Sequence, residues 1–593
     1  MTVSNRNRIW CLIILLSFSA VYADITGKIA GRVIDSGSRR GLAGVNLVLQ
    51  GTSIGTASNE KGEFSILNIA PGTYSIKATM IGYTPVVMTN VVVAIKRTTK
   101  IELQMQTEVL GLSEVTVVAK RQAVVMDVSA SQLNVSKETI ESLPVTDVVD
   151  VIGLQAGVRG TTIRGGSSRQ TSFIVDGFVI NDERSNIPYS TISLVSINEL
   201  QLQTGGFTAE YGNLRSGVIN IPTKEGDPNS LSGSIFFQLT PPAQKHFGPS
   251  AYAADTYFTR AFLDPEVCYT GSEGWDRYTE RQYKSFRGWN KVSEELLSDV
   301  DQTNDLSPDG AKRLYEFQHR RNGDITEPDH VIDFGIGGPV PAIGGMLGNL
   351  RFYASYRDVK ELLIIPLSRD DYHDNAFRLK LTSDLTPYTK LTLFGWFGKT
   401  SSVSPYSWTT TPTGRVLRSR YEIANLVGSS SGNSMIYMPG WYSPSDISRK
   451  IFGIKINRVI DNSSYFNFYI QSQSNYYDTF QMATRDTVPR YEIVPGYSID
   501  EAPYGYWWRG VTSIGDQMRI GGWMNLGREE STVNTYTLRF DYTNQLDYKN
   551  QIKTGITLVF NDYDIHSYTS NKDADGNPVM DTWNRSQDYK ASP

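Results

Sequence analysis

The chain has 593 residues with 57 basic and 61 acidic side chains, and its mean hydropathy is −0.29. This length allows several domains, and the near balance of charge does not suggest a nucleic-acid partner. A helical membrane protein would be far more apolar, whereas a β-barrel can hide its membrane character because only alternate residues face lipid. The two cysteines are Cys11, in a leader, and Cys268, so no internal disulfide is expected in the mature chain.

Residues 1–23 have the pattern of a secretory signal peptide. Arg6 and Arg8 precede an apolar run, Ile9–Leu16, that is too short to span a membrane. Val21-Tyr22-Ala23 places small residues at the −3 and −1 positions of a cleavage site after Ala23. The sequence therefore predicts an exported protein.

Residues 24–107 alternate short β-prone runs with turns, which predicts a small β-sandwich. Gly31–Asp35, Gly62-Glu63-Phe64 and Pro71–Tyr74 resemble the carboxypeptidase regulatory-like domain, which in receptors is an N-terminal periplasmic extension. A zinc carboxypeptidase would need a His-x-x-Glu pair, and no histidine of this chain has Glu three positions later. Gly51–Gly55 matches a Gly-x-Ser-x-Gly string, but it lies between two predicted strands, so we interpret it as a hairpin turn.

Residues 108–125 contain the β-prone run Leu112–Ala119. Such a run can add as a strand to the sheet edge of another protein, where main-chain hydrogen bonds supply most of the affinity. An ordinary linker strand is the alternative interpretation.

Residues 126–229 combine short apolar runs with glycine turns, and no nucleophile is accompanied by a base. Helices are predicted near Ser136–Leu143, with Ser136 as cap, and near Asp147–Leu154. Three motifs follow one another in this region: Ile163-Arg164-Gly165, Val175-Asp176-Gly177, and Gly206-Phe207-Thr208-Ala209-Glu210-Tyr211-Gly212 followed by Ser216-Gly217-Val218-Ile219-Asn220-Ile221. In this order they resemble the plug domain of TonB-dependent outer-membrane receptors. The sequence departs from the family at Pro222 and Ser216, which concerns strand geometry.

The resemblance implies roles for particular residues. The plug motif would include Arg164, Gly165, Asp176, Gly177, Tyr211 and Gly212. The run after the sandwich would be the energy-coupling box, formed by Glu114, Val115, Thr116, Val117 and Val118, which pairs with a periplasmic TonB-type energy transducer. Arg164 and Arg215 are expected to face Asp541 across the seam between plug and wall.

Residues 230–593 alternate polar and apolar side chains in segments of the length that a tilted strand needs to cross a bilayer. In one segment Tyr536, Leu538 and Phe540 would face lipid, while Arg539 and Asp541 would face the lumen. A soluble sandwich also alternates, but here long and short connections alternate as well, which is typical of outer-membrane barrels. The predicted strands are Leu231–Leu239, Val331–Val340, Leu350–Arg357, Ala376–Ser383, Lys390–Gly398, Lys450–Val459, Tyr465–Gln473, Thr535–Thr543 and Gln551–Phe560.

The predicted fold is thus mostly β, with a small β-sandwich extension, an α+β plug domain and part of a transmembrane antiparallel β-barrel. About nine strands cannot close a bacterial single-chain barrel, whose strand number is even, or enclose a plug. Because the family barrel is larger, we expect the C-terminal part of the barrel to be missing from this chain.

The long connections are rich in Trp and Tyr, such as Trp275, Tyr278, Trp289 and Tyr442. These rings suit either ligand stacking or packing among the loops. Ser307–Arg321 is predicted to be a helix. Asn571–Asn577 is similar to the start of a calcium loop but lacks the acid at its twelfth position, so a turn is favoured.

The leading functional hypothesis is a receptor of the cell outer membrane that imports a nutrient, such as a siderophore, oligosaccharide or peptide, by energy-coupled displacement of the plug. The alternative is a surface binding or adhesion protein anchored by a barrel. The expected partners are the TonB-type transducer, outer-membrane lipid and the nutrient ligand, with a surface lipoprotein as a further candidate. No catalytic constellation, cofactor or metal site is predicted, and we do not expect an enzyme.

Overall fold

The computed structural model describes most of the chain after residue 25. The described residues are 26–52, 54–107, 115–118, 131–189, 191–206, 216–241, 253–255, 259–282, 285–300, 302, 305–318, 327–363, 367–404, 416–417, 422, 442–480, 490–495, 497–500, 528–568, 571–572, 578–579 and 586–589. The predicted signal peptide, Glu114, Tyr211, Gly212, Arg215 and the centre of the calcium-like turn lie outside them.

The N-terminal domain is a β-sandwich, as predicted. Its strands are β1 (Gly27–Asp35), β2 (Asn46–Leu49), β3 (Gly55–Ala57), β4 (Glu63–Ile69), β5 (Gly72–Thr79), β6 (Val86–Val93), β7 (Thr98–Met105) and β8 (Val115–Val118). One sheet has the order β4-β1-β7 and the other the order β3-β2-β5-β6-β8. Between them lies a closed apolar core that includes Ile29, Leu47 and Leu103. The strands β2 and β3 are antiparallel, so the Gly-x-Ser-x-Gly string spans a hairpin connection.

The plug is built on a five-stranded sheet with the order β13-β12-β15-β14-β9. The strands of the plug domain are β9 (Ser131–Ser136), β10 (Val158–Arg159), β11 (Thr162–Ile163), β12 (Thr171–Val175), β13 (Phe178–Val179), β14 (Glu199–Gly205) and β15 (Gly217–Ile221). Of these, β10 and β11 pair with each other outside the five-stranded sheet. The two predicted helices are present as α1 (Lys137–Ser142) and α2 (Val148–Gly153). Ser136 is the N-cap residue of α1 without a side-chain capping bond, whereas the Asp147 carboxylate accepts from the Val149 N–H at the start of α2.

The wall is one antiparallel sheet that contains all nine predicted strands, most of them longer than expected. They are β16 (Ser232–Thr240), β17 (Asp329–Pro339), β18 (Arg351–Leu362), β19 (Asp371–Thr386), β20 (Thr389–Val403), β21 (Pro444–Asp461), β22 (Ser464–Thr479), β25 (Arg528–Gln545) and β26 (Gln551–Tyr568). A tenth strand that the sequence did not predict, β29 (Ser586–Tyr589), pairs with β26. Two small hairpins lie outside the wall: β23 (Arg490–Val494) with β24 (Tyr497–Asp500), and β27 (Asn571–Lys572) with β28 (Pro578–Val579). Within the described chain the sheet is open, with β16 and β29 at its edges.

Side chains alternate across the wall as the sequence predicted. On β25, Tyr536, Leu538 and Phe540 are 51%, 42% and 41% exposed on the outer face, while Arg539 and Asp541 are buried on the inner face. On β19, Phe377 is exposed outward and Arg378 and Lys380 are buried inward. Because a strand has a period of two, these two strands present an apolar row to one side and a row rich in polar side chains to the other.

Four helices occupy the long connection between β16 and β17: α3 (Arg260–Leu263), α4 (Arg277–Gln282), α5 (Trp289–Ser298) and α6 (Pro308–Gln318). The Gly310 N–H donates to the Ser307 hydroxyl, which confirms the predicted cap of α6. Trp289 is buried in a core shared by α3, α5 and α6, so packing within this connection is its observed role. The sequence did not predict the three shorter helices. No helix in the described ranges combines the length and apolar character that crossing a bilayer requires.

The sandwich contacts the plug and the end of the wall that carries the short turns. The Glu199 carboxylate of β14 accepts from the Ile95 N–H at 3.0 Å, and the Gln201 amide donates to the Ile95 carbonyl at 3.0 Å. Asn68 and Asn457 exchange side-chain hydrogen bonds. This placement agrees with the expected position of the sandwich on the periplasmic side.

We expect Leu538→Arg to reduce the stability of the wall in a bilayer by about 2–4 kcal/mol, because the outer apolar row would then carry a charge into lipid. The measurement is the urea midpoint of the protein folded in lipid vesicles. Leu546→Arg is the matched control, since Leu546 is an exposed leucine in the turn after β25. Equal midpoints for the two variants would contradict a lipid-facing outer row.

Candidate functional site

The tip of the β12–β13 hairpin contacts the inner face of the wall. Asp176 and Gly177 form the turn with φ angles of 55° and 95°, a left-handed backbone that glycine adopts at low cost. The Asp176 carboxylate is buried and accepts from the Thr223 N–H at 2.9 Å and from the Thr223 hydroxyl. The plug thus holds this carboxylate in one orientation.

Two cations of the wall face this carboxylate. The Lys380 ammonium donates to Asp176 Oδ1 at 3.0 Å and to the Thr223 carbonyl at 3.1 Å. Arg378, two residues earlier on the same inner face of β19, lies 3.9 Å from Asp176 Oδ2. All three charged groups are buried. A buried carboxylate requires such partners, because its desolvation would otherwise be too costly.

Aromatic rings surround the same hairpin. Phe178 stacks on Phe394 of the wall with ring centroids 5.4 Å apart and meets the edge of Tyr469 at 5.8 Å. Gly453 gives Phe178 its space, because a Cβ atom at this position would lie 2.6 Å from the Phe178 ring. At Gly177 a Cβ atom would lie 2.8 Å from the Tyr469 ring. The two glycines therefore permit the close approach of hairpin and wall.

A second charged contact lies at the C-terminal end of the plug. Glu225 Oε2 accepts from Arg351 at 3.0 Å and from Lys390 at 3.4 Å, and Lys380 lies 4.0 Å from its other oxygen. Burial alone raises the pKa of Glu225, but the charges of Lys390, Lys380 and Arg351 outweigh it and hold this pKa well below its usual range. Glu225 is therefore ionised at neutral pH and held by three wall cations.

A third contact joins the wall to the plug helices. The Arg357 guanidinium donates to the Thr146 carbonyl and lies 3.6 Å from Asp147 Oδ2. The Arg357 guanidinium also donates to the Asp333 carboxylate at 3.2 Å. The same carboxylate accepts from the Leu194 N–H of the plug at 2.7 Å. Burial raises the pKa of Asp147, against the lowering effect of the Arg357 charge.

Further contacts lie on the side of the plug that faces β22 and β25. Tyr477 donates to the Asp182 carboxylate at 2.7 Å, and Arg184 pairs with Glu529. The side-chain amides of Gln471 and Gln473 donate to plug carbonyls at 2.8 Å. The seam between plug and wall thus combines hydrogen bonds and ion pairs with aromatic contacts.

The plug-motif residues fall into separate places. Asp176 and Gly177 lie in the seam, whereas Arg164 and Gly165 form an exposed turn of the plug with φ angles of 50° and 76°. The Arg164 guanidinium donates to the Ser131 hydroxyl at 3.0 Å, so the expected pairing of Arg164 with Asp541 is wrong. Asp541 instead contacts Arg539, its neighbour two residues away on the inner face of the wall.

Residues Val115–Val118 of the predicted coupling box form strand β8 at the edge of the sandwich. This strand is parallel to β6, with Val115 opposite Val86 and Val118 opposite Thr89. The Val115 N–H donates to the Pro85 carbonyl at 3.0 Å. All four side chains are exposed, and β8 is the last strand of its sheet, so its outer edge pairs with no other strand in the described chain.

Comparison with known families matches both N-terminal domains. The CarboxypepD_reg-like domain family matches residues 29–117, and the TonB-dependent Receptor Plug Domain family matches residues 124–219.

Curated relatives are receptors and transporters of the same kind. The chain is 26% identical over 246 residues to the TonB-dependent transporter Oar of Myxococcus xanthus, a match that covers 38% of this chain and 23% of the relative. It is 30% identical over 254 residues to the TonB-dependent receptor SusC of Bacteroides thetaiotaomicron, a match that covers 38% of this chain and 24% of the relative. The matches therefore span about a quarter of the length of these relatives.

Solved structures with similarity include the siderophore receptors PirA of Pseudomonas aeruginosa and of Acinetobacter baumannii. The first is 13% identical to this chain with a TM-score of 0.38, and the match covers 74% of this chain and 49% of that structure. The second is 14% identical with a TM-score of 0.40, and the match covers 75% of this chain and 50% of that structure. The two domain families and the curated relatives support a TonB-dependent receptor with an N-terminal CarboxypepD_reg-like domain. The resemblance stated from the sequence is confirmed.

We expect Asp176→Ala to destabilise the seated plug by about 3–5 kcal/mol, because it leaves Lys380 and Arg378 buried without their carboxylate. The measurement is the rate at which a protease cleaves the plug of the membrane-inserted protein. Asp150→Ala, at an exposed acid on α2, is the control and should cleave at the wild-type rate. A wild-type rate for Asp176→Ala would show that the hairpin is not held by this contact.

The Glu225 contact predicts a pH dependence. Because the pKa of Glu225 is lower in the folded protein than its ordinary value of 4.5, the contact stabilises fully above that value and is lost as pH falls below it. Glu225→Gln should therefore lower the urea midpoint of plug release at pH 7 and have a smaller effect at pH 3. A deficit that is larger at pH 3 than at pH 7 would contradict the assignment.

Proposed function

We propose that this protein is an outer-membrane receptor that imports a nutrient by energy-coupled displacement of its plug. The observation that carries the proposal is the chemistry of the seam. Asp176, Glu225 and Asp147 of the plug each face cations of the wall, and most other contacts are hydrogen bonds. Water can replace such contacts one at a time, whereas a continuous apolar interface would resist wetting.

The apolar part of the seam joins wall side chains such as Phe394, Trp396 and Tyr469 to the core of the plug. Phe178 is the ring of the hairpin that stacks in the wall, and Tyr189 meets Trp396 edge to face at 6.0 Å. The packing of these rings fixes the position of the resting plug in the wall. The ion pairs fix the orientation of the plug at that position. A mechanical pull on the plug would separate polar partners first on the periplasmic side, where Glu225 lies near the short turns.

Strand β8 is the proposed point of attachment for a periplasmic TonB-type transducer, as part of a coupling segment Glu114–Val118. In a strand of a parallel pair, the N–H and C=O groups of one residue point to the same side, and those of the next residue point to the opposite side. Since the Val115 N–H points to Pro85, Thr116 directs its main-chain groups to the open edge. A partner strand can add there by main-chain hydrogen bonds.

The proposed ligand is a small or oligomeric nutrient bound on the extracellular side, at the end of the wall that carries the long connections. The proposed location is the cell outer membrane, after export through the signal peptide of residues 1–23. A surface lipoprotein that presents the ligand is a further partner within this proposal.

We expect Thr116→Pro to abolish uptake while leaving ligand binding at the cell surface intact, because proline removes the N–H that faces the open edge of β8. Thr116→Val keeps this N–H and is the matched control, with uptake near the wild-type level. Deletion of Leu112–Ala119 should act like Thr116→Pro. The measurement is growth and radiolabelled uptake on a panel of nutrients, in a strain that carries each variant as the full-length protein.

Two results would contradict the proposal. Uptake that survives deletion of Leu112–Ala119 would remove the coupling role of this segment. Surface binding with no uptake that depends on the proton gradient, in the wild type, would instead favour the binding or adhesion alternative.

A further inference from the structure

Two histidines and one aspartate from three adjacent wall strands meet on the outer face of the wall. His330 lies near the start of β17, Asp358 near the end of β18 and His373 near the start of β19. His330 Nε2 is 2.8 Å from Asp358 Oδ2, and His373 Nε2 is 2.7 Å from Asp358 Oδ1. In the part of the chain that the structure describes, this is the one group of three or more His, Cys, Asp or Glu side chains close enough to hold a metal ion.

Strand register explains the convergence. Lys360 of β18 lies opposite both His330 and His373, and Asp358 lies two residues from Lys360 on the same face of that strand. The carboxylate therefore lies diagonally between the two imidazoles. Residues an even number of positions away, such as Phe334 and Phe377, belong to the exposed outer row.

The cluster lies beyond the apolar belt of the wall. His330 is four residues from Phe334 along β17, about 13 Å at the rise of a β-strand. The three strand ends involved are opposite the short turns, on the side of the wall that carries the long connections. The side chains of His330, Asp358 and His373 are 22%, 12% and 36% exposed, so an ion from the surrounding solvent can reach them.

The donor set has the chemistry of a transition-metal site. Imidazole nitrogens and a carboxylate oxygen are the usual ligands of Zn²⁺ in proteins, at about 2.0–2.2 Å from the ion. The three ligand atoms lie within 4.8 Å of one another, so small side-chain rotations bring them to a common ion. Calcium and magnesium prefer sites built from oxygen alone, so two imidazoles disfavour them.

The positive charge of the neighbouring Lys360 does not prevent a metal cation from binding, because carboxylates neutralise it. Lys360 lies on the same face, but its ammonium contacts the Glu327 carboxylate and lies 3.3 Å from Asp371. The chain has five histidines in 593 residues, and two of them share this one carboxylate. A hydrogen-bonded His-Asp-His cluster without metal is the competing interpretation, and it predicts no tight metal binding.

We propose that His330, Asp358 and His373 form a binding site for one first-row transition-metal dication, of which Zn²⁺ is the best match, at the outer rim of the wall. A bound ion ties β17, β18 and β19 together just outside the membrane. The site is separate from the plug seam and from strand β8, so it does not depend on the proposed import function.

The test is a zinc titration of the full-length protein purified in detergent, stripped with a chelator and dialysed, against a chromophoric competitor. The wild type should bind one equivalent. His330→Ala and His373→Ala should each weaken binding by at least about tenfold, the loss that removal of even an outer-shell partner causes. Co²⁺ added in place of Zn²⁺ should give visible d–d absorption in the wild type and lose it in both variants.

His566→Ala is the matched control, because His566 lies 2.8 Å from Asp564 in a histidine–aspartate pair elsewhere on the wall. This variant should bind zinc like the wild type. Asp358→Asn keeps the size of the side chain and should also weaken binding, and circular dichroism verifies that each variant is folded. Substoichiometric zinc on the wild type, or equal affinity in the wild type, His330→Ala and His373→Ala, would overturn the proposal whatever the stability of the variants.

Discussion

The strict alternation of side chains along the wall strands is the constraint on which the rest of the structure depends. A strand that places Phe377 outward must place Arg378 inward, so the lipid-facing row and the plug-facing row cannot be chosen independently. A shift of one residue in register would send Arg378 and Lys380 into lipid and bring apolar rings against the plug. On β19 the apolar outer row is therefore matched by a charged inner row.

The plug is adapted to that charged inner row. It presents carboxylates where the wall presents cations: Asp176 to Lys380 and Glu225 to Arg351 and Lys390. The plug buries apolar side chains between its sheet and its helices, and the same core continues into the wall at Phe394 and Trp396. Its ion pairs with the wall are contacts that water can replace. A displaced plug would have to re-form both sets of contacts on its return.

The fold was largely predictable from the sequence, because it rests on local patterns. Alternation identified nine wall strands, glycine turns and short apolar runs identified the plug, and Ser307 and Asp147 marked helix starts. Contacts between distant segments were not predictable. Arg164 was expected to meet Asp541, yet it binds Ser131, because the rotation of the plug inside the wall decides which residues face each other. Asp176 and Lys380 are 204 residues apart, and no local pattern relates them.

The same reason explains the other differences. The pairing of β8 with β6 joins two segments that lie apart in the chain, and no local pattern relates them. The cluster of His330, Asp358 and His373 arises from diagonal neighbours on three strands, which histidine spacing cannot show. The short helix α3 depends on the aromatic core of its own connection rather than on a periodic pattern.

The most direct test of the central claim is a reversible lock between plug and wall. Thr191 of the plug donates to Asp374 of the wall at 2.5 Å, so Thr191→Cys with Asp374→Cys places two thiols across the seam. We predict that a disulfide forms in the resting protein, that uptake stops when it is oxidised and that uptake returns when it is reduced, with either single variant unaffected by oxidation. Uptake that continues with the disulfide fully formed would contradict displacement of the plug.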